Sequence, residues 1–89
     1  MNIDLKSIFG KFAGQAITLD TNNRIDYNDP VIQEIKKTAE ENGLLSRFFL
    51  PGDMGTMDMN PNRLNIQIEE DYDKNFKPVW KIADKFTIG

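Results

Sequence analysis

Apolar residues recur at helical spacing in two stretches of the chain and alternate in a third. Over residues 4–13, Leu5, Ile8, Phe9 and Phe12 lie three or four apart, which predicts a short helix. Asp4 stands at its capping position. Gly10 weakens the pattern and Gly14 ends it. Residues 18–28 are polar, with Asn22 beside Asn23, and read as a loop or irregular hairpin. The clearest helix covers 29–43. Asp29 caps it, and Pro30 takes the first helical position, where a missing N–H costs nothing. Val31, Ile32, Ile35 and Ala39 form one stripe. Glu34, Lys37, Glu40 and Glu41 face water, and Asn42-Gly43 supplies a left-handed stop.

The apolar run 44–50 has strand length. Residues 63–69 alternate strictly, with Leu64, Ile66 and Ile68 facing inward and Arg63, Asn65, Gln67 and Glu69 outward. Acidic residues 69–75 read as a turn. Residues 76–88, carrying Phe76, Val79, Trp80, Ile82, Phe86 and Ile88, read as one or two short strands, with Pro78 suited to an edge. Between the two best strands lies a 12-residue loop, 51–62, opened by Pro-Gly and closed by Pro-Asn. The expected architecture is a small single α+β domain: one main helix packed on a short mixed sheet, with a long exposed loop between two strands. Residues 1–28 form an N-terminal extension with a short helix, part of the same domain.

Composition narrows the functions open to such a chain. At 89 residues, area scaling allows about 5,300 Å² of folded surface and one modest core. A two-domain cleft enzyme and a dinucleotide fold are excluded. With 11 Lys and Arg against 14 Asp and Glu, the net charge is −3. An acidic chain with three arginines is poorly suited to phosphate neutralisation, so neither nucleic acid nor an anionic membrane surface is an expected partner. The sequence has no Cys and no His. Thiolate and imidazole chemistry, zinc ligation and disulfides are therefore absent, and no cofactor is expected. No carboxylate pair suits acid–base work either, since Glu69 and Glu70 point apart on a strand. The chain is not expected to be an enzyme. Freedom from cysteine and an N-terminus without signal-peptide character lead to the expectation of a cytoplasmic protein. The spacing of Asp58, Asn60, Asn62 and Glu69 imitates a calcium loop, but Arg63 stands where that loop needs Gly.

Candidate chemistry therefore falls on the long loop. Loops of this length in small domains are usually functional or disordered. Met54, Met57 and Met59 all lie in it. Met can tuck under a loop and fill gaps. On an extended segment, however, Met57 and Met59 share one direction while Thr56 and Asp58 share the other. An extended loop presenting apolar side chains is suited to a partner with pockets.

Phe49-Leu50-Pro51, Gly55-Thr56-Met57-Asp58 and Asn62-Arg63-Leu64-Asn65-Ile66 resemble the potato inhibitor I family of serine-protease inhibitors. The resemblance is closest to its microbial, fungal elastase-inhibitor-like branch and covers roughly residues 29–89. It also includes the preceding helix and the terminal Ile88-Gly89. It implies reversible, substrate-like inhibition, with a loop over 53–62 entering a protease cleft. Gly55, Thr56, Met57, Asp58, Met59 and Asn60 would contact the protease. Met57 would fill the primary pocket, and the scissile bond would be Met57-Asp58. Arg63 would reach under the loop, its guanidinium fork suited to Asp58 and Thr56. Asn65 stands where many plant and leech members carry a second arginine. An unbranched apolar Met57 suits subtilisin-, chymotrypsin- or elastase-like pockets. The alternative from another class is a non-inhibitory protein–protein interaction domain of the same fold, with Met57 as a binding or packing residue and Arg63 as a solvated strand residue.

Overall fold

Asp29 organises the start of the main helix and ties it to the sheet. The computed structural model describes residues 4–55 and 59–89. In it the main helix, α2, spans Pro30–Glu41, preceded by α1 (Leu5–Phe9), a short 3₁₀ turn (Gly10–Phe12) and β1 (Ala16–Ile17). The buried Asp29 carboxylate accepts from Val31 N and Ile32 N at the helix start, and from Thr18 N and Thr18 Oγ1. Burial alone would raise its pKa, but these hydrogen bonds outweigh that and hold it below the ordinary 3.8. Ile32, Ile35 and Ala39 are fully buried. Full burial of each isoleucine contributes roughly 1.5–3 kcal/mol. The helix ends in a Schellman motif. Leu44 N donates to Ala39 O and Gly43 N to Glu40 O, with Gly43 at φ +72°.

Three longer strands follow: β2 (Leu45–Phe49), β3 (Arg63–Tyr72) and β4 (Pro78–Ile88). Their order with β1 is β1-β4-β3-β2. β2 and β3 are parallel, while β4 is antiparallel to both β3 and β1. The architecture is the expected small α+β domain with a mixed sheet. One face, bearing Phe48, Leu64, Ile66, Ile68 and Ile82, forms the core with α2. Phe9 and Phe12 enter the same core, and Phe9 stacks on Phe86 at 5.9 Å. Asp4 caps α1 by accepting from Ser7 N and Ser7 Oγ.

Two readings of the chain change. The segment 69–75 is not a turn throughout, because β3 continues to Tyr72 and the turn occupies 73–77. Past Ile68 the β3–β4 ribbon runs beyond the core, and residues 69–78 are exposed, so apolar alternation disappears while pairing continues. Lys81 faces Glu69 in register and contacts Asp71 at 3.1 Å. Residues 78–88 form a single strand that absorbs extra residues opposite Gln67 through a bulge. β4 is an inner strand. Pro78 is accommodated because β1 reaches only Trp80 and Lys81, leaving the ribbon end two-stranded.

Candidate functional site

Parallel pairing of β2 with β3 dictates the path of the long loop. Leu45 lies opposite Arg63 and Phe49 opposite Gln67. The chain therefore leaves β2 at the level of Gln67 and must travel back about four residues, roughly 13 Å, to begin β3. On the described upstream limb, Asp53 and Gly55 lie over the sheet face opposite α2. That face carries Arg47 and Phe49 on β2, Arg63, Asn65 and Gln67 on β3, and Lys85 and Thr87 on β4. A cavity of about 280 Å³ is lined by Asp53 and Gly55 of the loop and by Phe49, Asn65, Gln67, Lys85 and Thr87 of the sheet.

Both limbs of the loop are held by turns. Upstream, Asp53 N donates to Leu50 O at 2.9 Å, and Leu50 N donates to Asp53 Oδ2 at 2.9 Å. Gly52 sits at φ +88°, as a turn with Pro51 before it requires. Leu50 is buried, so this turn is rooted in the core. Gln67 Nε2 adds a bond to Phe49 O at 3.2 Å. Downstream, Asn62 N donates to Asn60 Oδ1 at 2.9 Å and Arg63 N to Asn60 O at 3.1 Å. Leu45 N donates to Asn62 O at 2.7 Å, fixing the exit to β2. Met54 and Met59, one on each limb, are 89% and 85% exposed. In a domain with a modest core, two such methionines are presented rather than packed.

Arg63 and Asn65 converge on the last residue of the chain. Arg63 Nε donates to Gly89 O at 2.8 Å and Asn65 Nδ2 to the same oxygen at 3.1 Å. Gly89 N donates to Arg63 O at 3.1 Å. Gly55, Met59, Asn60, Arg63 and Asn65 of the expected site thus lie on one loop and the strand start beneath it. Thr56, Met57 and Asp58 lie outside the described residues. Sequence reasoning placed Phe49, Asp53 and Gln67 in the chain but gave none of them a role in supporting the loop. The outward phase of Gln67 in the alternating strand and the Pro-Gly-Asp turn were the signals available.

A loop clamped at both ends, with exposed apolar side chains on each limb, is a structure for presenting peptide to a partner. Comparison with protein-family models identifies the kind of partner: residues 26–73 match the peptidase inhibitor I78 family, over half of the chain. The chain belongs to the peptidase inhibitor I78 family. This I78 match runs from just before α2 through β2 and the loop to the end of β3, so it contains the loop and the site residues of β2 and β3 but not Lys85, Thr87 or Gly89 of the last strand. The family shown is I78, a protease inhibitor family, and not specifically the potato inhibitor I family or its fungal branch. Membership of I78 supports inhibition of a protease rather than catalysis. Searches of curated proteins and of solved structures each gave no match.

Proposed function

We propose that this I78 protein inhibits a serine protease reversibly and in the manner of a substrate, as potato inhibitor I proteins do. Loop 53–62 enters the cleft of a subtilisin-, chymotrypsin- or elastase-like enzyme. Met57 fills the primary pocket, and Met57-Asp58 is the bond presented for attack. Gly55 and Thr56 precede Met57 in the cleft, and Met59 and Asn60 follow on the leaving side. Arg63 and Asn65 support the loop from below.

The observation that carries this reading is the bracing of both limbs. Leu50 and Asp53 lock one end, and Asn60, Asn62 and Leu45 lock the other. Limbs fixed before binding lose little entropy on docking. After cleavage its two ends remain side by side, so the new amine stays close to the acyl carbon and the bond re-forms. Inhibition follows because release of either product is blocked. A nanomolar complex needs about −12 kcal/mol. A contact of roughly 800 Å² per partner is usual for such complexes, a small part of the 6127 Å² surface here.

The test is titration of the purified protein against subtilisin, chymotrypsin and elastase, with intact-mass analysis of each mixture. Stoichiometric loss of protease activity with slow nicking between Met57 and Asp58 is expected. Rapid cleavage within 53–62, or no interaction with any of the three, would overturn the proposal in favour of a non-inhibitory interaction domain.

A further inference from the structure

The aromatic ring of Phe49 lies directly beneath the upstream limb of the loop. A Cβ added to Gly55 would stand 3.8 Å from Phe49 Cε1 and 3.9 Å from Cζ, so the ring is the nearest group facing Gly55, about one methyl group away from its Cα. Phe49 faces away from the core and is only half-buried, so the ring is not there to fill the interior. The ring is itself held: the Arg47 guanidinium, two residues back on the same face, lies 5.1 Å from its centroid. The backbone at this point is held as well. Gln67 Nε2 bonds Phe49 O and Ile68 O, and Asp53 Oδ2 takes the Leu50 N–H. We propose that Phe49 is a positioning residue for the limb that ends at the scissile bond, with Gln67 and Asp53 fixing the strand end on which it stands.

This inference rests on the inhibitory reading above and assigns the two limbs different supports. Arg63, Asn65 and Gly89 meet at the start of β3 and serve the downstream limb, which carries the amine after cleavage. The upstream limb carries the acyl group. Hydrolysis adds one water across Met57-Asp58, giving a carboxylate on Met57 and an amine on Asp58. Resynthesis runs in two steps: the serine hydroxyl attacks the Met57 carboxyl and water leaves, giving the acyl-enzyme, and the Asp58 amine then attacks the acyl carbon while the serine oxygen takes a proton and leaves. That reverse step needs the acyl limb aligned as firmly as the amine. Phe49 supplies the alignment by standing next to Gly55 and limiting how far the limb can sink toward the sheet, without touching the protease.

The experiment measures the rate of cleavage at Met57-Asp58 and the final ratio of intact to cleaved protein under a catalytic amount of protease. The chains compared are wild type, Phe49→Ala, Phe49→Tyr and Asp53→Ala. Ile35→Val, a core variant that lowers Tm without touching the loop, is the control for stability alone. The expected result is cleavage about tenfold faster in Phe49→Ala, with the ratio shifted toward the cleaved form. Asp53→Ala should show a smaller change in the same direction, while Phe49→Tyr and Ile35→Val stay within twofold of wild type. Cleavage within twofold of wild type in both Phe49→Ala and Asp53→Ala, while wild type inhibits, would overturn this inference alone. An equal acceleration in Ile35→Val would also overturn it, because loss of global stability would then account for the effect. Failure of the wild-type protein to inhibit any protease would overturn the inhibitory reading and this inference with it.

Discussion

Arg63 and Gly89 hold each other by two hydrogen bonds. Arg63 Nε donates to Gly89 O at 2.8 Å, and Gly89 N donates to Arg63 O at 3.1 Å. The contact joins the end of β4 to the start of β3, where the loop returns to the sheet. The guanidinium is thereby fixed in orientation, and its rigid fork of donors limits how far the loop exit can move. Arg63→Ala is expected to turn a slowly cleaved inhibitor into a faster-cleaved substrate by at least tenfold. Arg63→Lys should recover only part of the loss, because an ammonium group lacks the fork. Intact-mass time courses with subtilisin check both, and unchanged kinetics in Arg63→Ala would remove this residue from loop support.

Met57→Asp should abolish inhibition of proteases with apolar primary pockets while leaving Tm within about 2 °C of wild type. The reasoning is positional. Met54 and Met59, the nearest methionines on either side, stand exposed, and surface substitutions away from packed features usually change stability by about 0.5 kcal/mol or less. Inhibition constants and thermal melts on the same preparation separate the two effects. A large fall in Tm would show that Met57 contributes to packing.

The acid limb of stability offers a test independent of any protease. Hydrogen bonds to Asp29 depress its pKa below 3.8 in the folded state despite burial. A depressed carboxylate contributes stability that is fully present above its unfolded pKa, near 3.9, and is lost as pH falls through the folded value. Tm should therefore hold above about pH 5 and fall below pH 4. Asp4 and Asp71, whose pKa values are also lowered, fall in the same window. Asp29→Asn should flatten this fall only in part. Asp29→Ala should cost about 1–2 kcal/mol at pH 7 through loss of the cap. Melts between pH 2.5 and 7 measure both.

Much of this architecture was legible because local chemistry and burial agreed. Asp29, Pro30 and the Ile32, Ile35, Ala39 stripe marked α2, and the alternation of Leu64, Ile66 and Ile68 marked β3. The strand extension through Tyr72 was hidden because those residues pair without a core beneath them. β1 is two residues long, too short for any period to register. The parallel sense of β2 against β3 was also invisible, since alternation reports which face a residue takes and not which way its neighbour runs. That sense is why the chain leaves β2 beside Gln67 and re-enters the sheet at Arg63, with Asp53 and Gly55 over the outer face. It explains why Gly55, Arg63 and Asn65 received site roles from the family resemblance while Phe49 and Gln67, on the sheet face toward the loop, received none.

Two glycines in the loop should respond to alanine in opposite ways. Gly52 has φ +88°, in the left-handed region, where a Cβ costs roughly 1–2 kcal/mol. Gly52→Ala should loosen the Leu50 to Asp53 turn, lower Tm and speed cleavage of the loop. Gly55 is not in that region, and a Cβ there would meet the Phe49 ring at 3.8 Å, an ordinary contact distance. Gly55→Ala at a compatible conformation restricts the free chain and should stabilise by about 0.4–1 kcal/mol. Because the added methyl also gives the upstream limb a van der Waals contact with the Phe49 ring, cleavage at Met57-Asp58 should slow by about twofold to fivefold. Measuring Tm and cleavage rate for both variants in parallel checks the pair. Faster cleavage in Gly55→Ala would show that the limb must move away from Phe49 when it docks.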